Sequence, residues 1–294
     1  MPVIINGKET AQKIHELVIH RTDNLKQKGI VPCLAVILVG EDPASISYVS
    51  AKKKALLACN MEDRDIKLPV DTKEQELLGV IQSLNMDPKV HGILVQLPLP
   101  SHIDEQKVLS AIDPAKDVDG FHPVSAGNLM LGRSGFISCT PLGIVHLLKD
   151  WNIPLRGKHA VIIGRSNIVG KPLANLLISK EHNLTVTICH TGTPDISVFT
   201  KQADIVIAAA GRPGLITKDM VKTGAAIIDV GVNRIEDPSR KKGYRLQGDV
   251  DYEGLLDKAG WITPVPGGVG PMTIAMLMQN VVDAAEGMTE GIKT

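Results

Sequence analysis

"HAVIIGRSNIVGKP", residues 159–172, decides the fold. An apolar run ends in a glycine, and an amphipathic segment, "VGKPLANLLIS" (169–179), follows it. That order describes a buried strand, a tight turn at Gly164 and a helix starting near Val169. Open α/β sheets present phosphate sites in this way, because helix N-terminal amides face an anion. A nucleotide-triphosphate loop would need G-x-x-x-x-G-K-[S/T]. Counting back from Gly170-Lys171 puts Arg165 at its first glycine and Pro172 at its magnesium-binding hydroxyl, so that reading fails twice. The dinucleotide fingerprint G-x-G-x-x-G is closer, with Ser166 at its second glycine. The serine hydroxyl can donate to a phosphate, and Arg165 adds a permanent planar cation. The next strand, "LTVTICHTGT" (184–193), ends in His190 and Thr191 without the acid that grips ribose hydroxyls in NAD sites. That absence, together with Arg165, favours a 2′-phosphate and hence NADP. The same residues also fit a phosphate-free α/β turn with a surface arginine.

Outward from this point, strand-like runs alternate with helical patterns, the signature of parallel α/β construction. "ADIVIAAAG" (203–211) and "GAAIIDVGVN" (224–233) continue the second block. At its start, Thr140 and Pro141 read as N-cap and first helical residue. In the first block "CLAVILVG" (33–40) and "GILVQLPLP" (92–100) read as buried strands, with a shorter one at "DIKLPV" (65–70). Helices are expected at about 44–59 and 73–84. Ala11, Ile14, Leu17, Val18 and Leu25 mark the apolar face of an earlier helix. The stretch 116–138 carries glycines, histidines and little periodicity, as a domain junction does. Pro271 opens a last apolar helix, expected to return to the first domain.

The 294 residues suffice for two domains, and the formal net charge of zero gives no support to a nucleic-acid track or an anionic membrane surface. The start of the chain does not read as a secretory signal, and no apolar run reaches the length of a spanning helix. Cys33, Cys59, Cys139 and Cys189 are scattered, with no C-x-x-C spacing, as expected of reduced thiols in a cytoplasm.

Polar residues gather in the first block. Tyr48 and Lys52 stand four apart on one helix face, so both tips can enter one cleft. Taken alone, the pair equally fits a surface tyrosine beside a solvated lysine cluster. Tyr-x-x-x-Lys also occurs in short-chain dehydrogenases, but there the glycine fingerprint precedes it, and here the order is reversed. Gln96 sits near a strand end, where α/β sheets place ligands. Asp117 and Asp119 lie close to a turn glycine, which also suits Asx caps. "PGGVGP" (266–271) is either a tight turn or a backbone that lets a flat ligand approach.

Together and in this order, "YVSAK", "VQLPLP", "KDVDGF", "GRSNIVGKP" and "PGGVGPMT" resemble the bifunctional methylenetetrahydrofolate dehydrogenase/methenyltetrahydrofolate cyclohydrolase family. The resemblance runs over essentially the whole chain. It implies two α/β domains: a folate domain at 1–122, completed by 271–294, and a Rossmann-like NADP domain at 139–265. Residues 123–138 and 266–270 are then junctions, a cleft lies between the domains, and the chain forms a homodimer. The implied activity is NADP-dependent oxidation of 5,10-methylenetetrahydrofolate, followed by hydrolysis to 10-formyltetrahydrofolate.

Catalytic roles then fall to Lys52, Tyr48, Gln96 and Asp119. Lys52 is the proton-transfer group of the hydrolysis, its pKa depressed by Lys53, Lys54 and partial burial. Gln96 holds it, Tyr48 packs near the aminobenzoyl ring, and Asp119 grips the pterin edge. Val95, Leu97, Pro266, Gly267, Gly268, Val269 and Gly270 complete the substrate contacts. Gly164, Arg165, Ser166, His190, Thr191, Val232, Thr140, Gly270 and Thr273 are implied around the cofactor. One departure is "ACNM" (58–61), where the family usually shows a glycine; Asn60 can adopt the left-handed cap in its place. A shikimate- or amino-acid-type dehydrogenase, a non-catalytic nucleotide sensor and a dehydrogenase without hydrolase activity are the competing readings. The retained Lys52, Gln96 and Asp119 disfavour the last two.

Overall fold

A computed structural model describes residues 1–240 and 243–290. In chain order the elements begin β1 (Val3–Ile4), α1 (Gly7–Gln27), β2 (Cys33–Val39), α2 (Pro43–Ala58), β3 (Glu62–Leu68), α3 (Glu74–Met86) and β4 (Gly92–Val95). Next come α4 (Glu105–Ser110), α5 (Pro123–Leu131), α6 (Cys139–Asp150), β5 (His159–Ile163), α7 (Gly170–Ile178), β6 (Thr185–Cys189) and α8 (Ser197–Thr200). The chain closes with β7 (Ile205–Ala208), β8 (Ala226–Asp229), β9 (Asn233–Glu236), β10 (Tyr244–Gln247), α9 (Tyr252–Leu255), β11 (Trp261–Ile262) and α10 (Val269–Glu290). Two compact units result. One combines Met1–Ala11 with Thr140–Thr273, and the other combines Gln12–Cys139 with the chain from Ile274 on.

The second of these is built on a parallel sheet of three strands, ordered β3-β2-β4. Every residue of β2 is buried, as an unbroken apolar run in the middle of a parallel sheet requires. Leu77, Ile81 and Leu84 of α3 pack with Ile37 and Ile93, each such side chain worth about 1.5–3 kcal/mol of burial. The run 92–100 stays a strand only to Val95, because the prolines that follow offer no ladder N–H. In α1, Ala11, Ile14, Val18 and Leu25 are buried as expected, but Leu17 is 67% exposed. The buried stripe is therefore narrower than the sequence suggested. Arg21 pairs with Asp283 and Glu286, both at 2.5 Å, and so ties α10 to α1. The helix starts at Val269, two residues before Pro271. Residues 123–138, expected as a junction, belong to this unit. They contain α5, capped by His122 at its start and by Gly132 at φ 65° at its end. Asn60 has φ 60°, the conformation expected of a stand-in for glycine.

The other unit carries a six-stranded parallel sheet in the order β1-β11-β8-β7-β5-β6. The strand order reverses at β5, with β6 on one side and β7 on the other. The first residues of the chain, expected in the folate domain, instead form the edge strand here. Val3 donates to the Gly260 carbonyl at 2.9 Å and Ile5 to that of Ile262 at 2.8 Å. The glycine-rich bend 266–270, also expected as a junction, lies in this unit, with Gly7 donating to the Gly267 carbonyl at 3.0 Å. A β9–β10 hairpin, absent from the sequence reading, hangs outside the sheet. Helix α6 begins at Cys139, so Thr140 lies inside it rather than at its N-cap, and its hydroxyl meets Thr273 Oγ1 at 2.8 Å.

Candidate active site

In the three-stranded unit, Asp42 accepts from Ser45 N at 2.8 Å and Pro43 opens α2, which fixes the rotation of that helix. Tyr48 and Lys52 then share a face, with Lys52 Nζ 4.6 Å from the Tyr48 ring centroid. Nζ donates to Gln96 Oε1 at 3.2 Å. Gln96 sits one residue beyond β4, its backbone N bonded to Ile37 O at 2.9 Å, and its Nε2 donates to Leu97 O at 2.7 Å. Both ends of its amide are thus defined. Lys52 is 4% exposed. Burial lowers its pKa, and Asp119 and Cys139 oppose that change. The depression expected from Lys53 and Lys54 does not arise, since Lys53 turns to Asp63 at 2.8 Å and Asp65 at 3.3 Å.

Asp119 keeps some accessible surface but is closely surrounded by protein. Burial pushes its pKa up, and the Lys52 charge and the Cys139 thiol pull it back. Its neighbour Asp117 is structural. It accepts from Phe121 N, His122 N and Ser125 Oγ at 3.1, 2.9 and 2.6 Å, and burial raises it to about 6. Two residues the sequence reading did not single out bear on Asp119. Cys139 Sγ donates to Val118 O at 3.5 Å and lies 3.7 Å from Asp119 Oδ1. Asn280, buried on α10, donates from Nδ2 to Val118 O at 2.8 Å and Ile137 O at 3.2 Å. An asparagine in register with the apolar face of that helix is the signal that could have marked it. Val95 and Leu97 were expected to contact substrate. The Val95 side chain lies in the core and Leu97 packs against that core, so neither is presented as a free side chain.

In the six-stranded unit, Gly164 follows β5 with φ 130°. A Cβ there would lie 2.2 Å from the Ala209 carbonyl oxygen, and one on Gly170 would lie 2.2 Å from Gly164 O. Only glycine allows this close approach. The amides at the start of α7 do not wait for an anion as expected. Ser166 Oγ accepts from Val169 N at 3.1 Å and Gly170 N at 3.4 Å, and Ser166 O accepts from Lys171 N at 3.1 Å. The Ser166 O–H is still available to donate.

A cavity of about 640 Å³ opens at this strand-order reversal, and Gly164, Arg165, Ser166, His190 and Thr191 line it. The reading missed Thr193, Asp195 and Arg212, which also line it. Arg212 lies just past the end of β7, a position from which a cation reaches the carboxyl edge of the sheet. His190 Nδ1 accepts from Gly192 N at 3.0 Å, which places the proton of the neutral ring on Nε2. Val232, Thr140, Gly270 and Thr273 are not among the cavity's described lining residues. In the bend 266–270, Gly268 donates to Pro264 O at 2.8 Å, and its oxygen fills the space where a Gly7 Cβ would sit. Those contacts fix the shape of the bend. Pro266, Gly267, Gly268, Val269 and Gly270 belong to a different unit from Tyr48, Lys52, Gln96 and Asp119.

A Rossmann-like sheet with a glycine turn and a basic-lined cavity, in one chain with a buried lysine held by an amide, has the parts of a dinucleotide-dependent enzyme. The family described as "Tetrahydrofolate dehydrogenase/cyclohydrolase, catalytic domain" matches residues 5–119, and its "NAD(P)-binding domain" matches residues 138–289. The chain belongs to the tetrahydrofolate dehydrogenase/cyclohydrolase family. It is 56% identical over 287 residues to the "Bifunctional protein FolD" of Prosthecochloris aestuarii, covering 96% of this chain and 97% of that one. The crystal structure of the bifunctional FolD of Campylobacter jejuni superposes with a TM-score of 0.93 at 49% identity, covering 98% of this chain and 99% of that one. The Trypanosoma brucei enzyme, solved with NADP and an inhibitor, gives a TM-score of 0.93 at 38% identity, over 100% of this chain and 99% of its own. Among the described residues no helix is long and apolar enough to cross a membrane.

Proposed function

We infer that this chain oxidises 5,10-methylenetetrahydrofolate with NADP and hydrolyses the resulting 5,10-methenyltetrahydrofolate to 10-formyltetrahydrofolate. The observation that carries the second half is the buried Lys52 amine, held by Gln96 Oε1 at 3.2 Å. In the first step only a hydride leaves the bridge carbon, and the cation left behind is shared by N5 and N10. NADP, when bound, supplies the acceptor. This step needs positioning rather than a base. The glycine turn at 164, with Arg165, Ser166, His190 and Thr191 around it, suits a dinucleotide bearing a 2′-phosphate.

In the hydrolysis, water adds to the bridge carbon, the bond to N5 breaks, and the formyl group stays on N10. Of the two water protons, one ends on N5 and one is released. Neutral Lys52 takes a proton from the attacking water and delivers one to N5. Gln96 fixes the direction of the amine, Tyr48 presents a ring for the aminobenzoyl group, and Asp119 faces the pterin edge. Lys52→Met tests this assignment. Hydrolysis, followed by loss of methenyl absorbance, should fall by about 10²–10⁴-fold, while NADP reduction by methylenetetrahydrofolate falls less. Near-normal hydrolysis would remove Lys52 from the mechanism. A homodimer and a cytoplasmic location complete the reading. Four buried, unpaired thiols support the location, and sedimentation tests the dimer.

A further inference from the structure

We propose that Asp249 is a positioning residue of the dinucleotide site. Its carboxylate holds the turn Ala209–Gly211 and, through that turn, sets the phosphate turn at Gly164. The proposal rests on the NADP reading of the cavity, and it concerns a residue that does not line that cavity.

Asp249 lies two residues beyond β10 and is fully buried. Oδ2 accepts from two successive backbone amides, Ala210 N at 2.7 Å and Gly211 N at 2.8 Å, while Oδ1 accepts from Asn233 Nδ2 at 2.9 Å. None of these donors is charged. An apolar residue in its place would leave the Ala210 and Gly211 amides and Asn233 Nδ2 without this acceptor. Something other than packing therefore favours it. Glycines make room for this carboxylate and for that of Asp229. A Cβ on Gly231 would lie 2.1 Å from Asp249 Oδ1, and one on Gly248 would lie 1.8 Å from Asp229 Oδ2.

A second buried carboxylate fixes the backbone that carries the first. Asp229, at the end of β8, accepts from Asp249 N and Gly231 N on Oδ1, at 2.9 and 3.0 Å, and from Val250 N on Oδ2 at 3.0 Å. The chain of contacts then runs from β8 through residue 249 to the amides of 210 and 211. Beyond them the Ala209 carbonyl abuts Gly164, and the Gly164 carbonyl abuts Gly170. Ala209, Ala210 and Arg212 form one wall of the cavity, and Gly164 and Arg165 form another. One carboxylate thus sets the spacing of the two walls.

Asp249→Asn tests this. An asparagine oxygen can still accept from the two amides, but its NH₂ then faces Asn233 Nδ2, donor against donor. Asn233 cannot simply flip, because the same NH₂ also donates to Gln247 O at 3.2 Å. The NADP dissociation constant of Asp249→Asn, measured by titration calorimetry, should rise about tenfold to a hundredfold. Hydrolysis of methenyltetrahydrofolate uses no dinucleotide and should stay within about twofold of the parent. Hydrogen exchange should show the Ala210 and Gly211 amides losing protection while β7 keeps its own. Parent-like NADP binding would overturn the proposal. So would a joint loss of binding, hydrolysis and β7 protection, which marks a structural role only. Failure of the unsubstituted protein to bind NADP would instead overturn the functional reading beneath it.

Discussion

Replacing Gln96 by Glu puts a full negative charge where a neutral oxygen now accepts from Lys52 Nζ at 3.2 Å. At an effective dielectric constant of about 20 such a pair is worth about 5 kcal/mol. That is an upper bound of about 4 pH units on the rise in the amine's pKa. The substitution also removes the Nε2 donor to Leu97 O, so the new carboxylate relaxes away, and about 2 pH units is the rise expected. The direction matters more than the size. Burial holds the Lys52 pKa below its ordinary value, which gives a neutral amine at lower pH than an exposed lysine would. A carboxylate beside it restores the proton and removes the base. At neutral pH the hydrolysis rate should fall about a hundredfold and recover as pH rises, so that the whole profile moves to the alkaline side. The assay is decay of methenyl absorbance between pH 6 and pH 10 (about the range between histidine and lysine titration), corrected for the spontaneous reaction. A Gln96→Glu enzyme with the parental rate and an unmoved profile would refute the argument that an uncharged Lys52 is the working form.

Arg165→Ala should weaken NADP by about tenfold to a hundredfold, the size of a lost charge-assisted hydrogen bond, and NAD much less; equal losses in titration calorimetry would contradict a 2′-phosphate contact. Asn280→Ala takes the amide donor from the Ile137 carbonyl and leaves that of Val118 only the weak Cys139 thiol, and the melting temperature should drop by an amount equivalent to about 1–3 kcal/mol. The KM for folate should rise more than that for NADP, because the freed segment carries Asp119. Asp229 titrates at about 6 in the fold, raised by burial above its ordinary 3.8, so between those values the folded protein holds a proton that the unfolded chain releases. Its contribution therefore favours folding at low pH and is lost as pH rises through that window, by about 2–3 kcal/mol in all. Urea midpoints of Asp229→Asn and the parent, compared at either end of the window, should diverge in that sense; parallel curves would show that Asp229 is not shifted.

Strands β5, β7 and β8 were legible because each is a short apolar run that ends near a glycine or a polar turn. The reading of Gly164 needed only the switch from strand to helix pattern. Tyr48, Lys52 and Gln96 were also within reach, since helix spacing and a glutamine at a strand end are local signals. What escaped is non-local. Val3 and Ile4 are too short a run to announce a strand, and they become one only by pairing with Trp261 and Ile262, far along the chain. The strands Asn233–Glu236 and Tyr244–Gln247 are largely polar and outside any core, so periodicity gave them no weight. Ser166 was read as a phosphate donor because its spacing fits, yet its oxygen spends its acceptor capacity on the next helix. That choice depends on backbone geometry, which residue type does not encode. Asp249 and Asn280 escaped for the same reason. Each acts on backbone groups distant in sequence, and nothing in its own neighbourhood names those groups.

The tuning of Lys52 shows why the cause of a shift matters as well as its direction. Repulsion from Lys53 and Lys54 would leave the amine sensitive to salt, since exposed charges are screened over about 10 Å at ordinary ionic strength. Lys53, however, has its charge met by Asp63 and Asp65. The depression comes from burial, which salt barely reaches. Against it stand Asp119 and Cys139, and the amine also meets the Tyr48 ring face and the Gln96 oxygen. A group pressed from both sides can gain and lose a proton at modest cost, as a residue must that takes a proton from water and returns one to N5 within a single turnover. Removing either side would fix the amine in one state. A more exposed lysine would stay charged, and one stripped of these partners would stay neutral.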